Sequence, residues 1–70
     1  MGNTVKITVN GTGRNVAEGT TVEALINELS PSGTKGVAVE LNAEFLEPEK
    51  YGHVVSDGDA IEIVRFVGGG

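Results

Sequence analysis

Val22, Leu25, Ile26 and Leu29 stand at i, i+3, i+4 and i+7, and this apolar stripe limits what the chain can fold into. An amphipathic helix must bury its apolar face against another element, and the segments on either side of it read as strands. Val5-Lys6-Ile7-Thr8-Val9 alternates apolar and polar residues and is rich in β-branched side chains, the pattern of a half-buried strand. Asn10-Gly11 suits the positive φ angles of a tight hairpin turn, with Gly13 adding freedom. The extended pattern then resumes over Arg14 to Ala17, with Val16 inward. Beyond the helix, Val37 to Leu41 reads as a third strand and Phe45-Leu46 as a very short fourth. Ala60 to Phe66 reads as the last, with Ile61 and Ile63 facing inward. The expected order is β-β-α-β-β-β, an α+β domain with one helix across one face of a mixed sheet.

Local chemistry marks the boundaries. Thr20 followed by Glu23 matches a capping box, in which each side chain satisfies an orphan N–H at a helix start. Pro31 ends the helix by steering Ser30 away from helical angles. Pro48 to Gly52 is expected as a loop or single helical turn around Tyr51. In Ser56-Asp57-Gly58-Asp59, Gly58 is expected to take the left-handed conformation of a turn. Residues 1–67 are read as one domain, and 68–70 as a flexible glycine tail with too little side chain to pack.

Composition narrows the function. A chain of 70 residues buries only roughly 60% of its unfolded surface, so its one core must be compact. The absence of cysteine removes disulfides, thiolate metal sites and thiol nucleophiles, and a single histidine makes a histidine metal site a poor expectation. The net charge of −5 argues against nucleic acid, which requires a concentrated basic face. No apolar stretch is long enough to span a bilayer and the N-terminus is polar, so a cytoplasmic protein is expected. Seven of the ten acidic residues fall between Glu40 and Glu62, where Lys50 and Arg65 are the nearby opposing charges. Such a distribution is either a solvated face or a means of steering a basic partner.

Candidate catalytic motifs do not survive inspection. Gly11-Thr12-Gly13 begins like a dinucleotide fingerprint, but Val16 replaces the third glycine and the segment joins two strands. Asn10-Gly11-Thr12 is formally a glycosylation sequon and is better read as the hairpin turn. His53 lies near Ser56, Asp57 and Asp59, yet proximity in sequence is not triad geometry, and a surface histidine beside a turn is expected. The informative segment is the end, Val67-Gly68-Gly69-Gly70. A carboxylate on Gly70 would be ionised at neutral pH, with a pKa of about 3.3–3.7. Residues without side chains can enter a channel that excludes any Cβ. The carboxylate can attack the α-phosphorus of ATP, and the resulting acyl-adenylate can accept sulfide or an amine.

Read in order, Ile7-Thr8-Val9-Asn10-Gly11, Glu18-Gly19-Thr20-Thr21-Val22 and Val37-Ala38-Val39-Glu40-Leu41-Asn42 resemble the sulfur carrier proteins of thiamine biosynthesis. Asp57-Gly58-Asp59-Ala60-Ile61-Glu62-Ile63-Val64 and Phe66-Val67-Gly68-Gly69-Gly70 extend the resemblance over nearly the whole chain. It implies the ubiquitin-like β-grasp fold, with the first and last strands parallel, adjacent and central. Val5, Ile7, Ile61 and Ile63 would then face the helix, and Val64 and Phe66 would lie on the open side. Two departures stand out. Asn42-Ala43 lacks the glycine usual after that asparagine, and Glu47 to Tyr51 is more acidic than the corresponding family stretch.

The resemblance further implies that the chain is no enzyme and has no catalytic residue, metal site or bound cofactor of its own. An E1-like adenylyltransferase using ATP and magnesium would adenylate Gly70, and a sulfurtransferase persulfide would convert it to a thiocarboxylate. Thiazole synthase would take that sulfur for the thiazole of thiamine. Gly68 and Gly69 would thread the partner's channel, while Val64, Phe66 and Val67 would bind the partner; the free carrier is expected to be a monomer. Alternatives within the carrier class are the small subunit of molybdopterin synthase, a carrier for another pathway and a protein-conjugating modifier. The alternative of another class is a β-grasp interaction module whose glycine tail is merely flexible.

Overall fold

The computed structural model describes residues 2–66, so the expectations placed on Val67, Gly68, Gly69 and Gly70 lie outside the described residues. The elements follow the expected order. They are β1 (Thr4–Val9), β2 (Thr12–Ala17), α1 (Val22–Leu29), β3 (Val37–Leu41), β4 (Glu44–Leu46), a short 3₁₀ turn (Pro48–Lys50) and β5 (Ala60–Arg65). The strands form one mixed sheet in the order β2-β1-β5-β3-β4. β1 and β5 run parallel, and the other pairs are antiparallel. The last strand therefore occupies the centre of the sheet, as the β-grasp expectation required.

Alternation along each strand sorts the side chains onto two faces. One face and the helix enclose Ile7 and Val9 of β1, Val39 of β3, Leu46 of β4 and Ile61 of β5, packed with Val22, Leu25 and Ile26. Each fully buried aliphatic side chain of this set contributes about 1.5–3 kcal/mol through removal from water. Tyr51 and Val55 complete the core from the irregular segment before β5. Val5 and Ile63, expected among the inward residues, are only partly buried and pack at the core's margin. Leu29 departs further, remaining 38% exposed. It is the last helical residue and lies beside the tip of the β1–β2 hairpin, near Val9, Asn10 and Arg14, where the sheet runs out.

The helix start differs by one residue from the expected capping box. Thr21 is the N-cap, its Oγ1 accepting from Ala24 N–H at 3.1 Å, whereas the Thr20 hydroxyl donates to Ala17 O. Glu23 thus falls outside the box position. The next orphan donors find backbone partners instead: Val22 N–H donates to His53 O and Glu23 N–H to Tyr51 O. Val55 N–H donates to Thr20 O, so the 51–55 segment closes over the helix N-terminus while burying Tyr51 and Val55. At the other end Ser30 is extended (φ −115°, ψ 122°), as Pro31 dictates.

Candidate functional site: the terminal strand and the open sheet face

β5 carries the chain toward its terminal glycines, and the turns on either side of it hold it by the same chemistry. β1 and β2 are joined by Asn10-Gly11 with φ values of 51° and 83°, and β3 and β4 by Asn42-Ala43 with 53° and 70°. Both are two-residue loops with positive φ at both positions, the type I′ hairpin geometry. The missing glycine of the second loop has not changed its form; Ala43 occupies the left-handed position instead.

Each asparagine flanks β5. Asn10 N–H donates to Ile61 O at 2.8 Å, and its side-chain Oδ1 accepts from Ile63 N–H at 2.7 Å while Nδ2 donates to Ile63 O at 3.3 Å. Asn42 N–H donates to Ala60 O at 2.7 Å, its Oδ1 accepts from Ala60 N–H at 2.9 Å, and its Nδ2 donates to Asp59 Oδ1 at 3.1 Å. β5 is thereby gripped at its start by Asn42 and near its end by Asn10. Phe66 N–H continues the antiparallel side by donating to Gly36 O at 2.7 Å.

The face of the sheet opposite the helix presents apolar side chains to solvent. Val64 and Phe66 are 54% and 65% exposed. Strand register adds a third residue. Val39, on the core face, pairs with Leu46, so the next pair, Glu40 with Phe45, projects to the open face, and Phe45 is 65% exposed. Glu40 also pairs directly with Glu62 of β5, while Ala38 pairs with Val64. Two carboxylates thus stand opposite each other between Phe45 and the Val64–Phe66 end, an arrangement unfavourable within the isolated sheet. Among the described residues no salt bridge joins either glutamate to a basic side chain. The open face thus combines exposed apolar side chains with acidic neighbours.

The His53 cluster has a structural role. Asp59 accepts from Ser56 N–H and from the Asn42 amide, and its Oδ2 lies 3.7 Å from His53 Nε2. Burial tends to raise the Asp59 pKa, but these hydrogen bonds and the histidine together lower it below its ordinary value. Gly58 is left-handed at φ 91°, as expected, and Asp57 accepts from Lys6 N–H, tying the turn to β1. Among the described residues no group of three or more His, Cys, Asp or Glu is placed to hold a metal ion, and no helix is long and apolar enough to cross a membrane.

Of the sequence-derived site residues, Val64 and Phe66 lie together on the open face, while Val67, Gly68, Gly69 and Gly70 fall outside the described residues. Phe45 was missed because a three-residue strand offers no alternation from which to read its face. The chain matches the family model described as the ThiS family over residues 7–70. It belongs to the ThiS family.

Similar proteins place that membership in context. A crystal structure of the thiamine biosynthesis protein ThiS from Geobacter metallireducens superposes with a TM-score of 0.76 at 42% identity, covering 94% of this chain and all of that one. The chain is also 48% identical over 67 residues to a thiazole synthase of Paramagnetospirillum magneticum and 43% identical to one of Magnetococcus marinus. In both cases 94% of this chain is matched but only 20% of the relative, so the chain spans about a fifth of the length of those proteins. An uncharacterized protein, ycf40, of Porphyra purpurea is 34% identical and matched over 93% of its length.

Proposed function

We propose that this chain is a sulfur carrier of thiamine biosynthesis that acts as a protein co-substrate and not as a catalyst. The match to the ThiS family over residues 7–70, reaching the final glycine, carries this reading. In it, the carboxylate of Gly70 attacks the α-phosphorus of ATP on an E1-like adenylyltransferase, with magnesium in attendance, and pyrophosphate departs. A sulfurtransferase persulfide then attacks the acyl carbon and displaces AMP. The outer sulfur of the persulfide is now bonded to the acyl carbon; a thiol attacks the inner cysteine sulfur, forms a disulfide with it and releases the outer sulfur as the thiocarboxylate of Gly70.

Gly68 and Gly69 enter the partner's channel because they present no Cβ to its walls, and Val64, Phe66 and Val67, together with Phe45, form the docking patch. No bound cofactor is needed on the carrier itself, which acts as a monomer between encounters. Dependence on ATP favours a cytoplasmic setting. Thiazole synthase is the favoured acceptor. A segment resembling this chain occurs within longer proteins bearing that name, an arrangement that would keep donor and acceptor together.

Complementation tests this role. In a host that requires thiazole because its own carrier gene is deleted, the full chain is expected to restore growth without thiazole, and the chain lacking Gly70 is expected to fail. Equal rescue by both chains would reject the proposed terminal chemistry, and rescue by neither would reject the thiamine assignment.

A further inference from the structure

We propose that Asn10 is a positioning residue for the carrier terminus: its side chain supplies the last rung that holds β5 on the β1 side and so fixes the direction in which the chain leaves the sheet. This inference rests on the carrier role proposed above. β1 ends at Val9, whereas β5 runs on to Arg65. A longer β1 would have placed a backbone donor and acceptor against Ile63. The Asn10 amide supplies both instead, accepting from Ile63 N–H and donating to Ile63 O. The left-handed backbone at Asn10 allows this because it turns the main chain away toward β2 while the side chain continues along β5. Past Ile63 the described contacts of β5 come from β3, through the Val37–Arg65 pair and the bond from Phe66 N–H to Gly36 O. Asn10 is exposed and adds nothing to the core, so its side chain acts on strand placement.

Asn42 provides an internal control. It has the same left-handed backbone and the same kind of side-chain grip, but holds Ala60 at the opposite end of the strand. Both turns accept glycine without strain, so Asn10→Gly and Asn42→Gly each remove a grip and leave the turn conformation available.

The experiment measures steady-state kinetics of ATP-dependent activation with the host adenylyltransferase as the carrier concentration is varied. Hydrogen exchange at the Phe66 amide is followed in parallel. Asn10→Gly is expected to raise the KM for carrier about fivefold at unchanged kcat, the effect of losing about one net hydrogen bond of ordering. It is also expected to speed exchange at Phe66, three residues beyond the grip. Asn42→Gly is expected to lower thermal stability but to leave that KM and the Phe66 exchange unchanged. Asn10→Asp tolerates the same backbone and keeps the acceptor for Ile63 N–H, so it should fall between wild type and Asn10→Gly even where the glycine variant folds poorly. Equal KM values for wild type and Asn10→Gly, or equal increases for both glycine variants, would overturn the positioning role. A wild-type chain that the enzyme does not activate would reject the carrier role, and the inference with it.

Discussion

Ala43 shows how one residue bears a cost imposed by its turn. The I′ loop between β3 and β4 requires positive φ at both positions, and an L-residue with a Cβ is strained there by about 1–2 kcal/mol. Glycine relieves that strain but adds freedom to the unfolded chain, which offsets about 0.4–1 kcal/mol. Ala43→Gly is therefore expected to stabilise the fold by about 0.5–1 kcal/mol, read as a higher denaturation midpoint with an unchanged slope. Asp59 makes a pH-dependent contribution of the opposite kind. Its pKa is lowered in the folded state, so the stabilisation is present above the unfolded value of about 3.9 and is lost as pH falls through the folded value. Asp59→Ala should cost stability at neutral pH, with the difference from wild type shrinking below the ordinary aspartate range. Urea denaturation at the two pH extremes checks this; a constant difference would show that the carboxylate charge does not matter.

At the scale of elements, burial separates residues that sequence patterning alone treats as equal. Ile61 is fully buried at the centre of the sheet, while Leu29 ends the helix at its rim. Ile61→Ala is expected to cost about 2–5 kcal/mol, and Leu29→Ala less than about 1 kcal/mol, by chemical denaturation. The strands, the helix and the Asn10-Gly11 turn were legible because each has its own periodicity or backbone requirement. The helix cap was not, since Thr20 and Thr21 are chemically equivalent; the docking of the 51–55 segment onto the helix start selects Thr21. Tyr51 and Val55 were hidden from the core for a related reason. They lie in irregular backbone, where no repeat announces which side chains turn inward.

At the scale of the whole molecule, helix and loops cover one face of the sheet and, among the described residues, leave the other to solvent, with β5 in the middle. The face of Val64 and Phe66 could be read from alternation with Ile61 and Ile63. Phe45 and the facing Glu40 and Glu62 required the strand register. Because these side chains are exposed, Val64→Asp combined with Phe66→Asp is expected to leave the denaturation midpoint nearly unchanged. The same pair should weaken binding to the activating enzyme by at least tenfold, since carboxylates in the middle of an interface lose hydration without gaining a partner. Calorimetric titration measures that loss, and unchanged affinity would place the docking surface elsewhere.

The proposed carrier role has another protein activate the carboxylate of Gly70. It is tested most directly by the intact mass of the carrier after incubation with the host activating enzyme, ATP, magnesium and a sulfide source. The expected result is the mass increase for replacement of one oxygen by sulfur, abolished when Gly70 is deleted. An unchanged mass, with an enzyme shown to activate another carrier under the same conditions, would contradict the account.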